Sequence, residues 1–209
     1  MIKSPLALLI CCAIVPTGTR AATYNAIYSA ANSQAVPEVA LFSPSGTLYG
    51  TTVTWYYAAK TAPSGTIFAL TPPAAGSTSW TYSTLYSFPS KCKCSPVVSA
   101  MASSGNLYGV TNSNKGGKGT ASTFKFDPTT GTLTTLYSSA IGNLSLGSDG
   151  LLYGIGAGGT AGNGTFLQLD PTSGGAPTVL YNLTSSESGP SGLTTDGSGK
   201  SIRHIRFHQ

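Results

Sequence analysis

The chain has 209 residues, 8% of them charged and 40% hydrophobic, with 26 glycines and 13 prolines. So little charge beside so many strand-forming and turn-forming residues excludes a disordered or coiled-coil chain and leaves material for a sizeable core. The formal charge of +5 does not signal nucleic acid: its basic excess sits at the two ends, and between Ala22 and Gly199 six lysines face the six acidic residues of the chain, a neutral body with no footprint for phosphate backbones.

Met1-Ile2-Lys3 starts basic, Leu6 to Val15 is apolar, and Thr19-Arg20-Ala21-Ala22 ends in small residues. That order is a signal peptide, expected over residues 1–21 and cleaved. The apolar run of ten residues is half of the ~20 needed to cross a bilayer, so no membrane span is expected after cleavage. A lipid anchor on Cys11 is disfavoured because Ile10 stands where a bacterial lipobox has a small residue. The expected location is secreted or at the cell surface.

Downstream the chain repeats itself. Gly46-Thr47-Leu48-Tyr49-Gly50-Thr51-Thr52 returns as Gly105-Asn106-Leu107-Tyr108-Gly109-Val110-Thr111 and as Gly150-Leu151-Leu152-Tyr153-Gly154-Ile155-Gly156, with Tyr-Gly spacings of 59 and 45 residues. A glycine inside a strand marks a bulge or a close backbone approach, so Gly50, Gly109 and Gly154 read as places where a neighbouring strand crowds in. A second strand follows each copy. In it Phe68, Phe124 and Leu167 form one column and Leu70, Phe126 and Leu169 another two places on, the period of a strand rather than a helix.

A third strand, Thr84-Leu85-Tyr86-Ser87-Phe88, recurs as Thr135-Leu136-Tyr137-Ser138 and Val179-Leu180-Tyr181-Asn182-Leu183, and a shorter copy stands at Ala26-Ile27-Tyr28-Ser29. Apolar runs such as Val97 to Ala102 and Leu144 to Leu146 precede the Tyr-Gly copies, which makes four strands per unit. Four short strands in about 40–50 residues is the unit of a β-propeller blade. The expected fold is therefore all-β, with blades of four antiparallel strands, about three and a half of them, in an incomplete ring. One repeat domain is expected over 22–199, with units at about 31–89, 90–140 and 141–185 and a partial one at 186–199. Residues 200–209 read as an atypical tail, with two arginines and two histidines in nine residues, and suggest a frameshift or early end that leaves out later strands.

The phrases Gly-x-Leu-Tyr-Gly-x-Thr, Gly-Thr-x-Phe-x-Leu-x-Pro and Leu-Tyr-Ser-Phe resemble the GloVer tandem repeats of bacterial choice-of-anchor surface proteins, from about Ala26 to Gly199. The resemblance implies repeats and export and carries no catalytic motif. The chain departs from it where Gly119-Thr120 slips away from Phe124, and no C-terminal anchor phrase is seen.

The chemistry-bearing residues are few. Asp127, Asp149, Asp170 and Asp196 stand in turn phrases ahead of Pro or Gly, where an aspartate bonds backbone amides. That leaves Glu38 and Glu187 as the only acids free for catalysis, both expected in loops before innermost strands at one mouth of the ring. A Ser or Cys triad needs a histidine, and the two present, His204 and His208, lie in the tail without a third metal ligand nearby, so neither metal nor cofactor is expected. Cys92-Lys93-Cys94 leaves a local disulfide, an interchain disulfide and free thiols all open. Most tyrosines, including Tyr49, Tyr108 and Tyr153, hold repeat-equivalent positions and read as blade packing. Trp55, Tyr56 and Tyr57 have no counterpart in the other units and are the candidate sugar platform, since flat aromatic faces stack on sugar rings.

Three readings follow. The first is a non-enzymatic exported scaffold whose loops bind a glycan, a cell-wall component or a protein. The second is an extracellular carbohydrate-active or lactone-type hydrolase using Glu38 and Glu187. The third is an inert fragment of a longer repeat protein. Self-association through open strand edges is a further expectation; nucleic acid is not an expected partner.

Overall fold

The computed structural model describes residues 35–54, 64–113, 119–195 and 201–207. They form three four-stranded antiparallel sheets and a hairpin. The first sheet is β1 (Ala35–Phe42), β2 (Leu48–Thr54), β3 (Gly65–Thr71) and β4 (Thr81–Phe88); the second is β5 (Cys94–Met101), β6 (Leu107–Ser113), β7 (Ser122–Asp127) and β8 (Thr132–Tyr137). The third is β9 (Gly142–Leu146), β10 (Leu152–Gly156), β11 (Thr165–Leu169) and β12 (Thr178–Asn182), and the hairpin is β13 (Glu187–Thr195) with β14 (Ser201–Phe207). Strand order follows chain order in every sheet, the up-and-down order of a propeller blade. The chain is all-β, and its described residues form three blades and a two-stranded unit.

The three Tyr-Gly copies are structurally equivalent. Tyr49, Tyr108 and Tyr153 lie opposite Ala69, Lys125 and Gln168 on one side and Leu41, Ala100 and Ser145 on the other. Each copy is entered by the same four-residue turn, in which Gly46, Gly105 and Gly150 have φ of +84°, +87° and +80°. The amide of each glycine donates to the carbonyl three residues back, on Ser43, Ala102 and Gly147. Glycine takes that left-handed conformation without a Cβ penalty.

The blades stack face to face. β5 packs on β1, β2 and β3; β9 packs on β5 and β6; β13 packs on β9 and β10. The first strand of each unit thus lines a common axis. Between the first two blades lies a core of Ile67, Phe88, Val98, Leu107, Phe124 and Phe126, all buried. Here β4 presents an aromatic pair to the next blade: Phe88 meets Phe124 at 5.8 Å between centroids and Tyr86 meets Phe126 at 6.0 Å. Each fully buried large side chain contributes about 1.5–3 kcal/mol, so this interface holds the two blades as one body. Ala100, Tyr108, Ile141, Leu144, Leu152 and Leu169 repeat the arrangement between the second and third blades.

The repeated glycine is explained at this interface. A Cβ on Gly109 would collide with the carbonyl oxygen of Val97 and stand 2.6 Å from Phe124 Cζ. One on Gly154 would collide with Ile141 Cγ2 and lie 2.9 Å from the Gly142 carbonyl oxygen. The first strand of a blade crosses directly over the glycine of its second strand, and a methyl group has no place there.

One expectation is corrected. Ser201–Phe207, read as a tail outside the repeat, is strand β14, paired antiparallel with β13 from Thr195↔Ser201 to Glu187↔Phe207. The last unit therefore has a second strand, although its sequence lacks the Leu-Tyr-Gly phrase, because backbone pairing needs amides and carbonyls rather than particular side chains.

Candidate functional site

The first strand of every unit is broken by a register shift, in the three blades beside the repeated glycine of the second strand. The ladder slips between Pro37 and Ala40 in β1, between Val98 and Ala100 in β5, opposite Tyr153 and Ile155 in β9, and between Ser188 and Gly192 in β13. A bulge leaves a residue unpaired and re-aims its side chain. In β5 that residue is Ser99. In β9 the irregularity includes Asn143, which has φ +48°, a conformation that asparagine tolerates better than most residues.

The irregularities of β5 and β9 border an open groove of about 480 Å³ along the axis. Its apolar wall is Val97, Val98, Val110 and Leu144, closed on the far side by Leu193 of β13. Three polar side chains enter it, those of Ser99, Asn112 and Asn143. Asn112 and Asn143 are exposed and Ser99 is half-buried, and none of the three side chains has a hydrogen-bond partner among the described residues. Among the described residues that line the groove none carries an ionisable side chain. Asn112 lies near the end of β6, so the groove opens at the end of the blades from which the β6–β7 connection departs.

The two glutamates are strand residues, which corrects the expected loop placement. Glu38 is exposed in β1 at its bulge. Glu187 begins β13, and its carboxylate is engaged: it accepts from Tyr181 Oη at 2.9 and 3.2 Å and from the Thr184 amide and hydroxyl at 2.9 Å each. That carboxylate ties β12 to the turn entering β13. Glu38 lies inside the register shift of β1, whereas Glu187 pairs with Phe207 ahead of the shift in β13; each first strand begins earlier than its apolar run indicates.

The described aspartates serve turns. Asp127 accepts from the Thr129 amide at 2.8 Å, Asp149 from the Leu151 amide at 3.0 Å, and Asp170 from the Thr172 amide at 2.8 Å and its hydroxyl at 2.6 Å. Each carboxyl titrates below its ordinary value, Asp127 through the Thr129 amide, Asp149 through the Tyr153 hydroxyl and Asp170 through the Thr172 hydroxyl. Tyr153 donates to Asp149 at 2.6 Å and accepts from Gln168 at 2.8 Å, and its own titration moves up, first because that hydrogen bond holds its proton. Its equivalent Tyr108 is buried in the interblade core, and burial raises it. One repeat position thus does two jobs, according to whether the turn before it carries an aspartate.

Cys92 and Cys94 are joined by a disulfide, with Cα atoms 5.2 Å apart. Lys93 between them has φ +47°, and Cys94 is fully buried at the start of β5. The bridge sits in the connection between the first and second blades, where the Cys92 carbonyl also accepts from the Thr120 amide at 2.9 Å. His204 is placed in β14 opposite Gly192. Trp55, Tyr56 and Tyr57, Asp196, His208 and the expected signal peptide lie outside the described residues. Among the described residues no group of three His, Cys, Asp or Glu side chains is placed to hold a metal ion.

Sequence reasoning missed Ser99, Asn112 and Asn143. Asn143 directly after Gly142, inside an otherwise apolar first strand, was the one local signal, since asparagine there favours a bulge.

Among curated proteins, none matches the chain. Among solved structures it is similar to the crystal structure of TolB from Acinetobacter baumannii, with a TM-score of 0.49 and 11% identity. That match covers 88% of this chain and 43% of the other, so the chain spans less than half of that protein's length. The Gloeobacter/Verrucomicrobia repeat model matches residues 13–202, and with the Tyr-Gly phrases structurally equivalent in three successive blades, the chain belongs to that repeat family.

Proposed function

We propose that this repeat scaffold is exported and non-enzymatic, and that the loop-bearing mouth of its blades binds an extracellular ligand such as a glycan, a cell-wall component or a protein. The observation that carries the reading is the division of labour in the chain. The blades repeat one packing scheme, while the described lining of the groove holds no ionisable side chain and three polar ones without a hydrogen-bond partner among the described residues. Every described aspartate is committed to a turn, and Glu187 is committed to Tyr181 and Thr184. A glycoside hydrolase on this scaffold needs two acids on either side of a scissile bond, and the carboxylate of Glu187 already accepts from three donor groups. Export is supported by the leader-like first 21 residues; among the described residues no helix is long and apolar enough to cross a membrane.

Expression with its own leader tests export: the released protein has a mass corresponding to cleavage near Ala21 or Ala22. Incubating that mature chain with insoluble cell-wall material and with extracellular protein fractions tests binding. Retention on either supports the reading, and retention on neither refutes it. Hydrolysis by the mature chain that disappears in Glu38→Gln or Glu187→Gln would move the protein to the enzyme class.

A further inference from the structure

We infer that the axial groove between β5, β6, β9 and β13 is a binding site for a neutral, hydroxyl-rich ligand, specifically a short uncharged oligosaccharide. The inference rests on the scaffold reading above and names the site and the ligand class that it leaves open.

The chemistry of the lining selects the ligand. Ser99, Asn112 and Asn143 offer one hydroxyl and two carboxamides, groups that both donate and accept hydrogen bonds. Sugar hydroxyls have the same dual character, so adjacent hydroxyls of one ring pair with a carboxamide at both its ends. A carboxylate, phosphate or ammonium would find no opposite charge among the described residues of the lining, and burying an unpaired charge is strongly unfavourable. The valines and leucines of the wall supply an apolar surface for the C–H face of a sugar ring. Its volume of about 480 Å³ falls within the roughly 300–1,000 Å³ usual for small-molecule sites.

The geometry adds a second argument. Two of the three polar residues stand at irregularities of the first strands: Ser99 at a register shift, Asn143 at φ +48° in the disturbed part of β9. A non-glycine residue held in the left-handed region is costly and persists where the surroundings impose it. Three successive units contribute to the lining, the second through β5 and β6, the third through β9 and the last through Leu193. The site therefore exists only in the stacked assembly.

The test is isothermal titration of the mature chain with four neutral disaccharides, chitobiose, cellobiose, maltose and mannobiose, and with the charged digalacturonate. Two variants accompany it, Asn143→Gly, which keeps the backbone conformation while removing the carboxamide, and Asn112→Ala on an exposed strand position. Circular dichroism verifies that both fold. Binding of at least one neutral disaccharide, absence of binding by digalacturonate, and a weakening of tenfold or more in each folded variant support the site. Failure of all four neutral sugars to bind, equal binding of the charged one, or unchanged affinity in both variants overturns it. The same variants assayed on cell-wall material separate the two claims: retention of wild type and variants alike removes the groove and leaves the scaffold reading standing, whereas no retention of wild type on walls or proteins removes the scaffold reading itself.

Discussion

The carbonyl oxygen of Val97 occupies the space into which a side chain on Gly109 would project. Val97 belongs to the first strand of the second blade and Gly109 to its second strand, so the contact fixes how closely the axial strand lies over the strand behind it. The same relation holds between Gly154 and the Ile141–Gly142 pair. The recurrence of Tyr-Gly is thus a packing requirement at the axis.

Gly109→Ala and Gly154→Ala are therefore expected to destabilise the mature chain by about 1–3 kcal/mol each, the usual range for forcing extra atoms into a packed site. Gly175→Ala is the control: its Cβ would meet nothing closer than Ser173 Oγ at 3.6 Å, and its effect should stay within about 0.5 kcal/mol. Urea unfolding followed by tyrosine fluorescence measures all three. Equal stability of the first two variants and wild type would remove the close-approach account.

Phe124 is fully buried against Phe88 across the first interblade core. Phe124→Ala should cost about 3–5 kcal/mol, and a double-mutant cycle with Phe88→Ala should return a coupling of about 0.5–1.5 kcal/mol for the aromatic pair. Leu180, 47% exposed on the outer strand β12, should tolerate alanine with little change. A vanishing coupling would mean that the blades do not meet through these rings.

Asp127, Asp149 and Asp170 titrate below the ordinary carboxyl value of 3.8 in the folded chain. Their contribution to stability is fully present above pH 3.8 and is lost as the pH falls from there through the depressed folded values. Thermal unfolding should therefore be insensitive to these groups near neutrality and show a falling midpoint below pH 3.8. Asn substitution of Asp127 and Asp170 together, which retains an amide-accepting oxygen, should flatten that acid limb. An unchanged limb would assign acid sensitivity elsewhere.

Glu187 accepts from Tyr181 and from both donors of Thr184, so Glu187→Ala leaves those donors without their acceptor and should cost about 1.5–3 kcal/mol, the range for hydrogen bonds to a charged group. The loss should be local, raising hydrogen exchange at residues 183–188 before the first two blades are affected. Uniform exchange across the chain would contradict a tie confined to the last connection.

The bridge between Cys92 and Cys94 closes so small a ring that its effect on the unfolded chain is modest, about 1–2 kcal/mol by the loop-entropy relation. After reduction, alkylation should reach half-buried Cys92 before fully buried Cys94, as peptide mass mapping would read. Alkylation of Cys94 first would place the start of β5 differently.

Much of this architecture was legible in the residues because it is local and repeated. The Tyr-Gly phrase and the two-residue period at Phe124 and Phe126 each encode a strand within a few neighbours, and three copies reinforce one another. Asp127, Asp149 and Asp170 were readable as turn residues for the same reason. Ser201–Phe207 was not readable as a strand of the last unit, since its pairing with β13 uses backbone groups that every sequence supplies. Trp55, Tyr56 and Tyr57 stand outside the described residues, so their part as a sugar platform stays an expectation from sequence alone.

By itself the order of amino acids determined the all-β class, the four-strand unit and the turns of Asp127, Asp149 and Asp170, because those depend on side-chain period and on side chains that bond nearby backbone amides. Tertiary structure alone decided that Ser99, Asn112 and Asn143 meet beside Val97 and Leu193, residues spread over three units. Their meeting depends on how three sheets stack and where each axial strand slips its register, and that is a sum of many weak packing contacts with no signature at any one residue.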